Sequence, residues 1–410
     1  MNPTPEPPEI GFGQRLKIQR TRKGMTREVL AGLVGKSASW VKALETGRLQ
    51  TPKLPVLLRL AEALRVRDLA ELTGDQSVRV DLFTGPGHDR LPAVRDAINA
   101  LPALTEREAP PVEHLRARLA QAWTARHSSP HHREVLGQLL PSLIEDAQLA
   151  AHQAEDRTTR RHAQAVLAEV YALSQFFIAY QPAADLLWRV AERGIVAAQD
   201  SGDLHAIGVS AWLMAQAHRD AGDWDAADVV TTQTTDLLEP RVGDAGDDPL
   251  AIWGSLVFEA GYTAARRGEI GTAWGYWDRA REVAGRLPAT YYHPVTSFSQ
   301  AIMGAHATTI AVELHAGGES VRQSERATPT GIPSRPRRAR HEIEQARAYY
   351  LDAQPEAALA TLEAAHEAAP ETIRYNGYAR RILLEEMDER DGRRQRRASA
   401  LADRMGMLTV

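Results

Sequence analysis

Apolar residues in the first part of the chain recur three and four positions apart, in short bursts broken by glycine. Phe12, Leu16 and Ile18 mark an amphipathic segment that closes at Gly24. Thr26 is placed to cap the next helix, with Glu28 in its first turn and Val29, Leu30, Leu33 and Val34 at helical spacing. Gly35 supplies a turn. Ser37 caps a further short helix with apolar positions Val41 and Leu44, ending at Gly47. The stretches "LPVLLRLAEAL" (54–64) and "VRDLAELTG" (66–74) complete five short helices within residues 10–74. A helix, a short glycine turn and a second helix make a helix-turn-helix.

The tripeptide Gly35-Lys36-Ser37 also ends a phosphate-binding loop, so that alternative needs testing. Such a loop requires a glycine five residues upstream and a preceding buried strand. Here that position is Leu30, and "RTRKGMTREV" is charged and lacks β-branched runs. The nucleotide-hydrolase alternative fails.

The stretch "MTREVLAGLVGKSASWVKALETGR…LLRLAEAL" resembles the lambda-repressor/Cro-type (XRE-type) helix-turn-helix. The Leu30-Ala31 pair, Gly35, Val41 and the Glu45-x-Gly47 ending carry the resemblance. In that family the second helix of the pair enters the major groove. Transferred here, Ser37, Ala38, Ser39, Lys42 and Ala43 face the bases, while Arg27, Lys36 and Arg48 grip phosphates. Ser and Ala make no bidentate base pairs, so modest discrimination per base is expected. Trp40 is expected mainly to pack between helices.

Charge changes the picture independently. Residues 10–74 hold 13 Lys+Arg against 5 Asp+Glu, a balance of +8, whereas the whole chain carries −4. A basic module on an acidic remainder is the electrostatic footprint of a protein in which one domain meets DNA. The chain has no cysteine, which excludes disulfides, thiolate metal sites and thiol redox sensing. The start "MNPTPEPPEI" lacks the basic and apolar regions of a signal peptide, and no apolar run is long enough to span a membrane. A cytoplasmic protein with no membrane association is expected.

Residues 1–9 are expected to form a disordered tail. Gly- and Pro-punctuated residues 75–110 are expected to form a linker with one short helix near 92–100. Residues 111–410 are alanine-rich, without strand alternation, and they repeat a spacing. A small residue is followed by another small one twelve on, a large one four further, and a small one three further. Ala172, Ala184, Trp188 and Ala191 fit it, as do Gly261, Ala273, Trp277 and Ala280, and Ala346, Ala358, Leu362 and Ala365. Ala215, Ala227, Thr231 and Thr234 fit more loosely, and a degenerate unit is expected around "HAGGESVRQ" (315–323). This resembles the tetratricopeptide repeat, which implies an all-α protein: a five-helix helix-turn-helix domain followed by a right-handed α-solenoid of roughly five helical pairs, capped by 112–160.

Such solenoids bind ligands on a curved inner face. In the consensus register that face carries Trp212, Gln216 and Arg219, then Phe258, Tyr262 and Arg266, flanked by Glu169, Leu173, Phe176, Ile343, Arg347 and Tyr350. Rings with Arg and Gln suit a peptide or amphipathic small molecule, although core packing is the commoner role of a single aromatic. Other chemical candidates are poor. The adjacent histidines of "SSPHHRE" (128–134) diverge on a helix, no HExxH occurs, and no cofactor or enzymatic activity is expected. Glu385 and Glu386 read as a solvated helix face, and "SRPRRARH" (334–341) as an exposed loop or a second phosphate contact.

The whole layout resembles a group of actinomycete regulators. That resemblance implies a homodimeric transcription factor on double-stranded DNA, whose body senses a peptide, a small molecule or a protein partner. The alternative is an interaction scaffold with secondary DNA binding.

Overall fold

A computed structural model of the chain describes residues 11–49, 51–52, 54–66, 69–74, 87–242, 246–389 and 391–407. All regular structure among them is helical. Two compact units divide the chain, residues 1–84 and 85–410. The tail expected at 1–9 and residues 75–86 of the expected linker lie outside the described residues.

The first unit contains α1 (Phe12–Arg22), α2 (Arg27–Leu33), α3 (Ala38–Glu45), α4 (Leu54–Ala63) and α5 (Ala70–Thr73). Local chemistry sets the boundaries around the turn. The Thr26 hydroxyl accepts the Val29 N–H and the Ser37 hydroxyl accepts the Trp40 N–H, both at 3.2 Å, so each helix starts on its own cap. Between them Gly35 has φ of +64°, a left-handed conformation that a side chain penalises. Leu16, Leu30, Ala31, Val34, Val41, Leu44, Leu60 and Leu72 form the buried interior. Gly13 lets α1 cross α3 closely: a Cβ there would lie 2.2 Å from the Leu44 carbonyl oxygen.

The second unit is a helical solenoid built from hairpins. They are α7 (Val112–Ser128) with α8 (His132–Gln153), α9 (Arg157–Ile178) with α10 (Ala184–Ser201), α11 (Leu204–Ala221) with α12 (Trp224–Leu238), and α13 (Asp247–Arg267) with α14 (Ile270–Gly285). Then come α15 (Met303–Glu313) with α16 (Gly317–Arg326), which occupies the degenerate stretch, and α17 (Arg335–Leu351) with α18 (Pro355–Ala368). The short α19 (Pro370–Arg374) leads into a final hairpin, α20 (Gly377–Met387) and α21 (Gly392–Arg404). Helices α7, α9, α11, α13, α15 and α17 pack successively against one another, and α17 also meets α7, so this inner layer closes on itself.

Small residues sit where the spacing demands close approach. Ala172, Ala215, Gly261 and Ala346 are buried, and so are Ala227, Ala273 and Ala358 across the hairpins. At Gly261 an added Cβ would come within 2.9 Å of the Tyr276 Cβ. Ala184 differs: it is exposed, and Ala183 is buried instead. Pro182 and the left-handed Tyr180 lengthen the turn there, while the Gln181 side chain accepts the His88 N–H at 2.8 Å. That bond uses the turn to hold the upstream chain rather than to start α10 early.

Three further expectations meet a different structure. The latter half of the expected linker is docked on the body. Its helix α6 (Leu91–Asn99) buries Leu91, Val94, Ala97 and Ile98, a helical stripe, against α8. Arg95 pairs with Asp185 at 2.6 Å, and the Ala109 N–H reaches Gln153 at 2.9 Å. Residues 334–341 are not an exposed loop: Ser334 is buried and Pro336 lies in the first turn of α17, where a missing N–H costs nothing. Glu386 is not solvated either, but fully buried and paired through both carboxylate oxygens with Arg394 at 2.6 and 2.7 Å.

Candidate nucleic-acid interface and the inner face of the body

α3 owes its position to its buried side. Val41 and Leu44 are fully enclosed, which fixes the opposite face outward. On that face and its approaches Lys36, Ser37, Ser39, Lys42 and Arg48 are exposed, and Ala38 and Ala43 are half-buried. The structure therefore brings together every residue expected at the bases. Ser37 and Ser39 share a hydrogen bond of 2.8 Å between their hydroxyls, with Ser37 also serving as the helix cap. Trp40 is half-buried with the Lys36 ammonium 5.9 Å from its ring centre. It packs and also positions a charge.

Arg27 has a second task that sequence reasoning missed. Glu45, at the end of α3, is buried, and its carboxylate accepts the Arg20 Nε at 2.5 Å and the Arg27 Nε at 2.6 Å. Burial pushes the Glu45 carboxyl up, but hydrogen bonds and charge from Arg20 and then Arg27 outweigh it, and the group is held below its usual range. Arg20 also donates to the Met25 carbonyl at 2.6 Å. This clamp ties α1, α2 and α3 into one support. A glutamate on the apolar stripe of α3, with two arginines upstream, was the signal in the sequence.

In the body, Arg219, Tyr262 and Phe258 of the expected ligand residues adjoin one another. The Arg219 guanidinium rests 3.9 Å from the Tyr262 ring centre, Phe258 stacks on His306 at 3.6 Å, and Trp212 tilts against Phe176 at 6.3 Å. Gln216 is half-buried on the same helix as Trp212. Both cations are compensated, however. Arg219 pairs with buried Glu259, and Arg266 donates to Glu313 and to the Tyr378 hydroxyl, both at 3.0 Å. Glu313 also holds Arg347 at 2.8 Å. Burial raises the Glu313 carboxyl, and Arg347 and Arg266 then drive it far below the ordinary carboxylate range. These groups read as ion pairs bracing α11, α13, α15 and α17. Glu259 lies three residues before Tyr262 and seven before Arg266, the same helix face, so periodicity could have found it.

The family model of a helix-turn-helix domain matches residues 12–73, which spans α1 to α5. The first unit is thus a helix-turn-helix domain, the kind of module found in DNA-binding regulators. No curated protein matches the chain. Among the described residues no helix is long and apolar enough to cross a membrane.

Proposed function

We propose that this protein is a sequence-specific transcriptional regulator of the lambda-repressor/Cro (XRE) type, acting in the cytoplasm on double-stranded DNA without enzymatic activity. α3 lies in the major groove, Lys36 and Arg48 contact phosphates, and Ser37, Ser39, Lys42 and the Ala38 and Ala43 methyls meet base edges. The solenoid, tetratricopeptide-like in its small-residue spacing, senses a peptide or small-molecule effector and holds two copies together. The observation that carries this reading is α3 itself: capped, clamped from behind through Glu45, and exposed along a cationic face.

Selection of binding sites from a random duplex library by the purified full-length chain tests the proposal. Enrichment of one motif is the expected result. The small side chains on α3 make a scaffold with non-specific DNA affinity the second reading. Uniform retention of all sequences establishes that reading instead.

A further inference from the structure

The basic stretch at 334–341 and the C-terminal turn of α7 meet on the inner layer of the body. His127 Nδ1 and the Ser334 hydroxyl share a hydrogen bond of 2.9 Å, and the His127 ring sits edge-on to Tyr292 at 6.2 Å. α7 and α17 meet here, which brings Arg126, in the last turn of α7, near enough to Arg337, in the first turn of α17, for the two charges to act on one another. Arg340, one turn further along α17, reaches over Tyr180 at 5.4 Å. Tyr180 itself is 48% exposed.

The cations here are unequal. Arg133 caps the end of α9 by donating to the Phe177 and Ala179 carbonyls, and Arg340 pairs with Glu344 at 2.6 Å. Neither Arg126 nor Arg337 makes a hydrogen bond or ion pair of this kind among the described residues. Glu344, already paired with Arg340, acts on Arg337 only as a weaker, more distant charge. The Arg126 Nε and Nη1 and the Arg337 Nε are sealed from solvent without a hydrogen bond. The Arg126 guanidinium instead lies 4.8 Å from the Phe176 ring centre. Burial lowers its pKa to about 10; the next strongest influences are Arg133, Tyr292, Arg337 and Tyr180, none of them a carboxylate. It therefore stays charged at neutral pH and uncompensated. Burying a charge without a partner is costly, and the neighbouring Arg337 charge adds repulsion. Everywhere else described on this face, at Arg219, Arg266, Arg340 and Arg347, the chain supplies a glutamate. Here it supplies aromatic rings.

We propose that Arg126 and Arg337 form an anion site on the inner face of the body. Its ligand is a small organic anion, a phosphate or carboxylate group carried on a flat apolar body that packs against Phe176, Tyr180 and Tyr292. Guanidiniums favour such groups through charge-assisted and bidentate hydrogen bonds. The site gives the sensing part of the proposed function a ligand class, and only its link to DNA rests on that reading.

Titration calorimetry of the full-length chain at fixed ionic strength, with phenyl phosphate, benzoate and neutral benzamide as probes, tests the site. At least one anion should bind saturably at one per chain, and benzamide should not bind. Arg126→Gln and Arg337→Gln should each weaken that binding tenfold or more, whereas Arg281→Gln, at an exposed side chain of α14, should not. Unliganded Arg126→Gln should melt no lower than the wild type, because it removes an uncompensated charge; should it fail to fold, Arg337→Gln carries the comparison. Absence of saturable binding of either anion, or undiminished binding by the folded variants, overturns the site. DNA affinity measured with and without the bound probe is a separate readout. Binding that leaves DNA affinity unchanged keeps the anion site and removes the sensor.

Discussion

Glu45 shows how one side chain can decide whether a recognition surface exists. Its carboxylate neutralises Arg20 and Arg27 at once, and its burial means that water cannot replace either partner. Replacing it with Gln removes a charge from between two cations. For a fully enclosed pair the loss is about 3–5 kcal/mol. Arg27 is a third exposed, so we expect about 2 kcal/mol here. The folded carboxyl titrates below its ordinary value, so its stabilisation is complete above that value and is lost as pH falls through the lower, folded one. Calorimetric melts of the full-length chain should therefore show the N-terminal transition dropping on acidification below about pH 4.5, with Glu45→Gln already lower at pH 7 and flatter in acid. Identical acid limbs for both proteins would reject the clamp.

At the scale of elements, α3 works only as docked on α1. Gly13 permits that docking, and its Cβ clash is with backbone that has nowhere to go. Gly13→Ala should cost about 1–3 kcal/mol as overpacking does, and should weaken DNA binding with it. A melt unchanged from wild type counts against the crossing. The face α3 presents has a separable signature. Lys36→Ala and Arg48→Ala should each weaken binding to all duplexes alike and lower the slope of log affinity against log salt by about 0.9. Ser39→Arg should change the preferred sequence, because Arg brings a bidentate donor to guanine. Arg27→Ala is a poor phosphate test, since it also opens the Glu45 clamp. An unchanged salt slope in both of these variants would place the phosphate contacts elsewhere.

These elements also show what the sequence could carry. Helix starts at Thr26 and Ser37 and the turn at Gly35 depend on side chains reaching only two or three residues, and local pattern recovered them. The inner layer was legible as a register, because Ala172, Ala215, Gly261 and Ala346 must be small for helices to cross. The pairing was not. Arg219 with Glu259 and Arg266 with Glu313 are contacts between different helices, and nothing local distinguishes a compensated arginine from a free one. For the same reason the free cations, Arg126 and Arg337, lay hidden in stretches that read as a plain helix and a basic loop. Glu386 misled in the opposite direction: a charged helix looks solvated until its Arg394 partner is folded onto it.

Over the whole molecule, charge and size together bear on assembly. The +8 balance of residues 10–74 supplies attraction to DNA that is strong but indifferent to sequence. Specificity must come from a short helix whose outward groups are mostly Ser and Ala, and one such module buries too little surface for tight selective binding. Two modules on one duplex double the contacted bases and convert a modest discrimination into a useful one. A two-fold pair also fixes the half-site spacing at about one helical turn, roughly 10 base pairs centre to centre. We expect the full-length chain to scatter light as twice its own mass at micromolar concentration. We also expect its selected sites to be inverted repeats and its footprint to cover both half-sites. Salt then provides an internal check, since a dimer that engages two phosphate sets should show about twice the slope measured on an isolated half-site duplex. A monomer that binds an asymmetric site with the same slope on half and full duplexes would overturn the dimer.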